Sequence, residues 1–132
     1  MPDYHGHHYP TVCPYVFYED GDAALAFLVN VFGLKERMRS LAPDGAVSHA
    51  EVEIGDGLVM LGCPPNHKSP AQLGHVTAGV YVHVDDVDAY YARAKAAGAR
   101  VQEEPTDMPY GVRSYGVLDS EGHQWWFSQP LG

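Results

Sequence analysis

The same order of elements is written twice along this chain, and that repetition limits the fold more than any other feature. Residues 11–62 read as strand, Asp-Gly-Asp, helix, Gly, then strands. Residues 77–129 read as strand, Asp-Val-Asp, helix, Gly, then strands. Asp20 and Asp22 open the first helical stretch and Gly33 closes it; Asp86 and Asp88 open the second and Gly98 closes it. Carboxylates suit helix starts because they accept the orphan N–H groups there, and Gly suits the left-handed residue past a helix end. A repeat of this length and mixed content implies two βαβββ modules. Paired modules of this kind enclose a cleft, so function turns on what the cleft holds.

Periodicity fills in the rest. Val12 to Tyr18 reads as a strand, and Ala24, Leu25, Phe27, Leu28, Val31 and Phe32 recur at helical spacing. Leu34 to Leu41 reads as a strand, followed by the turn Pro43-Asp-Gly45. In His49–Ile54, Ala50, Val52 and Ile54 share one face and His49, Glu51 and Glu53 the other. Gly55-Asp-Gly57 is a hairpin signal before Leu58 to Leu61. Residues 63–76, with three prolines, read as a linker. In the second module Val80, Val82 and Val84 form an apolar face, a helix is expected over Val87 to Ala97, and Ala99 to Glu104 is a strand. Pro105 to Val112 reads as a loop before the last two strands, Arg113 to Leu118 and Gln124 to Gln129.

Residues 1–10 form a polar, His-rich lead, expected to be loose, in which His5, His7 and His8 could collect stray metal. Residues 11–132 are read as a single domain: module one over 11–62, the linker over 63–76 and module two over 77–129.

Seventeen acidic against eight basic side chains give a net charge of −9. Such a field disfavours nucleic acid and anionic membrane as partners and favours cationic ligands, or it simply aids solubility. No apolar run is long enough to span a bilayer, and Met1-Pro-Asp-Tyr-His5 lacks the basic-then-apolar order of a secretory leader. With only Cys13 and Cys63, and no C-x-x-C pair, two free thiols in a reducing cytoplasm are expected. The phosphate-binding, dinucleotide-binding, serine-hydrolase and H-E-x-x-H motifs are all absent.

The module pair, the second-module start Val84-Asp-Asp-Val-Asp-Ala89, and the ending Asp119-Ser-Glu-Gly-His-Gln-Trp-Trp-Phe127 resemble the vicinal oxygen chelate superfamily of glyoxalases, extradiol dioxygenases, fosfomycin-resistance enzymes and bleomycin-resistance proteins. His49-Ala-Glu51, Gly55-Asp-Gly-Leu-Val-Met-Leu61 and Gly122-His-Gln-Trp-Trp-Phe127 are most similar to its small PhnB-like and bleomycin-resistance-like branch. The resemblance implies an α+β fold: two βαβββ modules forming cupped mixed sheets around a ligand cleft, helices outside. It also implies a homodimer.

Catalytic members of that family hold a divalent metal with His, Gln and Glu on the first and last strands of each module. Carried over, those positions fall at Cys13, near Met60, and at Gly79 and Trp126. Gly has no side chain and indole cannot coordinate, so neither a metal nor another cofactor is expected. The strand parity that the resemblance implies would line the cleft with Tyr15, Phe17, His49, Glu51, Tyr81, His83, Gln124 and Trp126, together with Cys13, Gly79 and Ser128. Trp125 and Phe127, on the opposite face, read as core. Such a lining suits planar aromatic ligands by stacking and cations by cation–π contact. The leading expectation is a non-enzymatic binder of the bleomycin-resistance type that sequesters an aromatic or cationic natural product. The alternative is a metal-dependent lyase, isomerase or dioxygenase with an unconventional site drawing on Cys13, His49, Glu51 or His83. A vestigial or regulatory domain without a tight ligand is the third reading.

Overall fold

In the computed structural model residues 8–132 are described in full, and 3, 4 and 7 by their backbone alone. Both repeats start their helix in the same way. Asp20 Oδ1 accepts the Ala23 N–H at 3.0 Å, and Asp86 Oδ1 accepts the Ala89 N–H at 3.1 Å. The second Asp of each pair reaches a strand instead: Asp22 accepts from the Val47 N–H, and Asp88 pairs with Arg113. After each helix a glycine turns left-handed, Gly33 at φ 76° and Gly98 at φ 81°. The repeated carboxylates therefore have separable tasks, one capping the helix and one tying it to its sheet.

The elements run β1 (Asp3–Tyr4), β2 (His7–His8), β3 (Tyr15–Phe17), α1 (Gly21–Asn30), β4 (Lys35–Leu41), β5 (Val47–Ile54), β6 (Gly57–Gly62), α2 (Pro70–Leu73), β7 (Gly79–His83), α3 (Val87–Ala96), β8 (Arg100–Met108), β9 (Val112–Leu118) and β10 (Gln124–Pro130). Besides the β1–β2 ribbon there are two four-stranded sheets, ordered β3-β6-β5-β4 and β7-β10-β9-β8. Each is mixed: β3–β6 and β7–β10 are parallel and every other pair is antiparallel. The α+β fold of two βαβββ modules is thus present. The chain divides into one unit running to Asn30 and resuming over Leu34–Lys68, and a second made of Val31–Gly33 and Ser69–Gly132.

In the first unit α1 presents Ala24, Leu25 and Leu28 to the sheet face carrying Ala50, Val52, Val59 and Leu61, and all seven are buried. Burying a Leu or Val side chain contributes roughly 1.5–3 kcal/mol, so this face holds helix and sheet together. The second unit is built on aromatics. Phe127 stacks on Tyr115, Tyr90 and Trp125, and Phe32 meets Trp125 and Phe127 edge-on. Asp119, buried in the β9–β10 turn, accepts the Trp125 indole N–H at 3.0 Å and the backbone N–H groups of Glu121 and His123.

The structure corrects one expectation and adds detail to two others. The segment from Pro105 to Val112 is mostly strand: β8 runs through Pro105 to Met108, leaving a short turn at 109–111. β8 is an edge strand with register shifts on both sides of Glu103, where a residue without an N–H donor is tolerated. The linker contains a helical turn, α2, which Ser69 caps by accepting the Gln72 N–H. Finally, Tyr9 in the lead is buried, at 1% exposure. His5 and the side chain of His7 lie outside the described residues. No helix among the described residues is long and apolar enough to cross a membrane.

Candidate functional site

Cross-strand register sorts the expected site residues into two sheet faces. In the first unit Tyr15 pairs with Met60, Phe17 with Gly62, Glu51 with Met60 and His49 with Gly62. Tyr15, Phe17, His49 and Glu51 therefore share the face opposite α1. In the second unit Tyr81 pairs with Trp126, His83 with Ser128 and Gln124 with Gly79, so these too share one face. Tyr15, Phe17 and Tyr81 remain 51%, 43% and 46% exposed.

The first face is organised around a carboxylate. Glu51 is buried, and Tyr9 donates its hydroxyl to the two carboxylate oxygens at 2.8 and 2.9 Å. Arg37 donates to Oε1 at 3.2 Å, and His49 Nε2 lies 3.3 Å from Oε2. On the far side of that imidazole, Nδ1 is 3.1 Å from the Tyr15 hydroxyl. In the neutral imidazole Nε2–H donates to Glu51, which leaves Nδ1 to accept from Tyr15. The Arg37 guanidinium also lies over the Tyr9 ring, 4.4 Å from its centroid.

Burial pushes the Glu51 carboxyl upward, but hydrogen bonds from Tyr9, His49 and Arg37, with the charge of Arg37, outweigh it and hold the pKa below the ordinary glutamate value. Tyr9 moves the other way: burial and then its bond to Glu51 raise the phenol. Glu51 thus lies on the face that strand parity assigned to the cleft, with both carboxylate oxygens hydrogen-bonded within the protein. Its oxygens are taken by the protein, and Tyr15 and His49 form the exposed end of the chain.

Sequence reasoning passed over Tyr9 and Arg37. Arg37 sits where the β4–β5 register skips, between Glu36 opposite Val52 and Met38 opposite Glu51. A bulge re-aims a side chain, and nothing in Lys35-Glu-Arg-Met-Arg39 marks one. For Tyr9 the only signal was an aromatic residue before Pro10 in an otherwise polar lead.

The second face is organised around an indole. A Cβ added to Gly79 would lie 2.5 Å from Trp126 Cζ3, and one added to Gly116 would lie 3.3 Å from Trp126 Nε1. The indole therefore spans two glycines on the strands flanking β10. Beside it Tyr81 is tilted at 34° with centroids 6.5 Å apart, and Ser128 Oγ and the Tyr81 hydroxyl are hydrogen-bonded at 2.7 Å. His83 packs edge-on against Tyr81. Gln124 turns its amide into the sheet, donating to Trp125 O and Val117 O.

The four positions carried over from the catalytic pattern do not fit a divalent metal. Gly79 supplies no donor and Trp126 fills the space above it. Met60 offers a thioether, and the Cys13 thiol donates to Pro10 O at 3.5 Å. Among the described residues no group of three His, Cys, Asp or Glu side chains could hold a metal ion.

This fold and these motifs have relatives. The family described as Glyoxalase/Bleomycin resistance protein/Dioxygenase superfamily matches residues 7–127. The uncharacterized protein Mb0911c of Mycobacterium bovis is 34% identical over 128 residues, covering 92% of this chain and 84% of its own length. The crystal structure of TioX from Micromonospora sp. ML1 is 38% identical, covers 96% of this chain and 100% of its own, and superposes with a TM-score of 0.77. A lactoylglutathione lyase from Agrobacterium tumefaciens, at 23% identity, a TM-score of 0.64 and coverage of 91% and 94%, shares the fold. The chain belongs to the glyoxalase/bleomycin resistance protein/dioxygenase superfamily.

Proposed function

We propose that this protein is a non-enzymatic small-molecule binder that captures an aromatic, and in some cases cationic, natural product. The observation that carries this reading is the Trp126 indole laid across Gly79 and Gly116, beside the half-exposed Tyr81. Where catalytic relatives place ligands for a metal, this chain places a broad π-surface. Aromatic faces hold planar rings by offset stacking and cations by the ring quadrupole. Stoichiometric capture requires only tight binding, so the replaced ligands cost such a function nothing. We also propose that the chain works as a homodimer in the cytoplasm, the dimer supported by family kinship and by the exposed Tyr15, Phe17 and Tyr81.

The test is equilibrium binding of a panel of aromatic antibiotics, bleomycin included, followed by recovery of the ligand. The reading expects an equimolar complex and unaltered ligand on release. Chemical conversion with turnover would reject it.

One observation favours an enzymatic alternative. The Glu51–His49–Tyr15 chain ends on an exposed hydroxyl hydrogen-bonded to an imidazole, an arrangement able to move a proton at the sheet surface. On that reading His49→Asn abolishes conversion of a ligand while leaving its binding intact.

A further inference from the structure

The second unit carries a cavity of about 400 Å³ under α2, at the end of the sheet face that holds Trp126. Its volume lies within the usual range for small-molecule pockets. The register explains its floor: Arg100 pairs with Leu118 and Leu118 with Gln124, a single row across three strands. Gly79 continues that row on β7, and the Trp126 indole, whose backbone lies one row further along, leans back over it. Arg100, Gln102, Leu118 and Gln124 line it from the sheet, and His75 and Val76 line it from the preceding segment.

The wall opposite is fixed in advance. Gly74, left-handed at φ 83°, ends α2 and donates to Pro70 O at 2.7 Å. The Ala71 N–H donates to Glu121 O at 3.0 Å. Gly122 sits at φ +89°, and a Cβ there would come within 3.0 Å of the Ala71 nitrogen. Helical turn and β9–β10 turn are thus packed as closely as backbones allow, so the cavity does not depend on a ligand to form it.

Charge identifies the occupant. The chain has seventeen acidic side chains, yet none lines this cavity. Arg100 lines it, and among the described residues Arg100 has no carboxylate partner. By contrast Arg37, Arg39 and Arg113 are each paired with acids. A guanidinium fork left free beside Leu118 and Val76 matches a planar or tetrahedral oxyanion on an apolar ring.

We propose that this cavity binds the oxyanion group, carboxylate or phosphate, of a small molecule with an apolar ring, held by Arg100 over Leu118 and Val76. The proposal does not rest on aromatic capture by Trp126 and stands or falls by its own test. Benzoate and phenyl phosphate are titrated into the full chain at low salt, with benzyl alcohol as the uncharged counterpart. Binding is read from NMR shifts of the Gln102 side-chain amide and the Leu118 and Gly122 backbone amides. Saturable shifts with at least one anion are expected, and which one is tighter tells whether the site is built for carboxylate or phosphate. Arg100→Gln, at an exposed position, should weaken binding at least tenfold. Gln102→Glu should abolish it by supplying the missing carboxylate. Arg113→Gln should leave it unchanged. Absence of saturable shifts with both anions, equal binding of benzyl alcohol, or unchanged affinity in Arg100→Gln overturns the proposal.

Discussion

The two sheets share one plan and fill it differently. Glu51 faces Met60 in the first sheet, and Gly116 faces Trp126 at the matching place in the second. In the first, the acid is large and central, and Tyr9, Arg37 and His49 are drawn in to satisfy it. In the second the central position is vacated, and a side chain from the next strand spreads over it. Satisfying a buried charge consumes polar groups and rigidifies the face, whereas spreading an indole over two glycines leaves a π-surface available. One backbone register, written twice, thus yields a face built on a satisfied carboxylate and a face built on an indole.

Unbalancing the first face is expected to have the largest effect. Arg37→Met keeps the aliphatic stem but leaves Glu51 buried without its cation. Removing one partner of a buried pair costs about 3–5 kcal/mol, so urea denaturation should show a loss of that size. A loss below about 1 kcal/mol, the range of exposed ion pairs, would mean that the carboxylate is not the organising element.

Next is Gly79→Ala in the second face. The new methyl would fall 2.5 Å from the indole, which must shift. Overpacking of this kind costs about 1–3 kcal/mol, and the Trp126 emission maximum should move with it. An unchanged spectrum and stability would show that the indole does not rest on Gly79.

The third prediction concerns acid. The folded-state pKa of Glu51 lies below its ordinary value, so its stabilising contribution is full above that value and is lost as pH falls through the folded one. Wild type should therefore exceed Glu51→Gln in stability at neutral pH, and the gap should close below about pH 4.5. A gap constant from pH 7 to pH 3 would contradict the assigned shift.

The smallest expected effect is on metal content. Because Tyr9 packs against Glu51, residues 1–10 should not be deleted for this measurement. His5, His7 and His8 are replaced by Ala instead. Elemental analysis should then find far less than one divalent ion per chain, and one tightly held ion would argue for the enzymatic alternative.

The halves of the repeat were legible in the sequence because their signals are local. Asp before a helix, Gly after it, and alternation in His49–Ile54 and Thr77–Val84 need only neighbouring residues to be read. Alternation also separated Trp125 and Phe127, both fully buried, from the half-buried Trp126 between them. What escaped depends on distant partners. Pro105 reads as a loop until β8 is known to be an edge strand, and Arg37 reads as a surface charge until the bulge turns it inward. The partner of Glu51 was not legible because the Tyr9 hydroxyl that binds it lies forty-two residues earlier, in the polar lead. The meaning of Gly79 needed Trp126 beside it, which only the parallel β7–β10 register supplies.

Trp126 is the proposed binding surface. Tryptophan fluorescence should be followed while the aromatic antibiotic panel is titrated into wild type and into Trp126→Phe, with Trp125, fully buried and bonded to Asp119, as the internal reference. For a ligand that binds wild type with one-to-one quenching, Trp126→Phe should lose about 1–3 kcal/mol, roughly 5- to 150-fold in affinity. Equal affinity in the two proteins would place the ligand elsewhere and contradict the account.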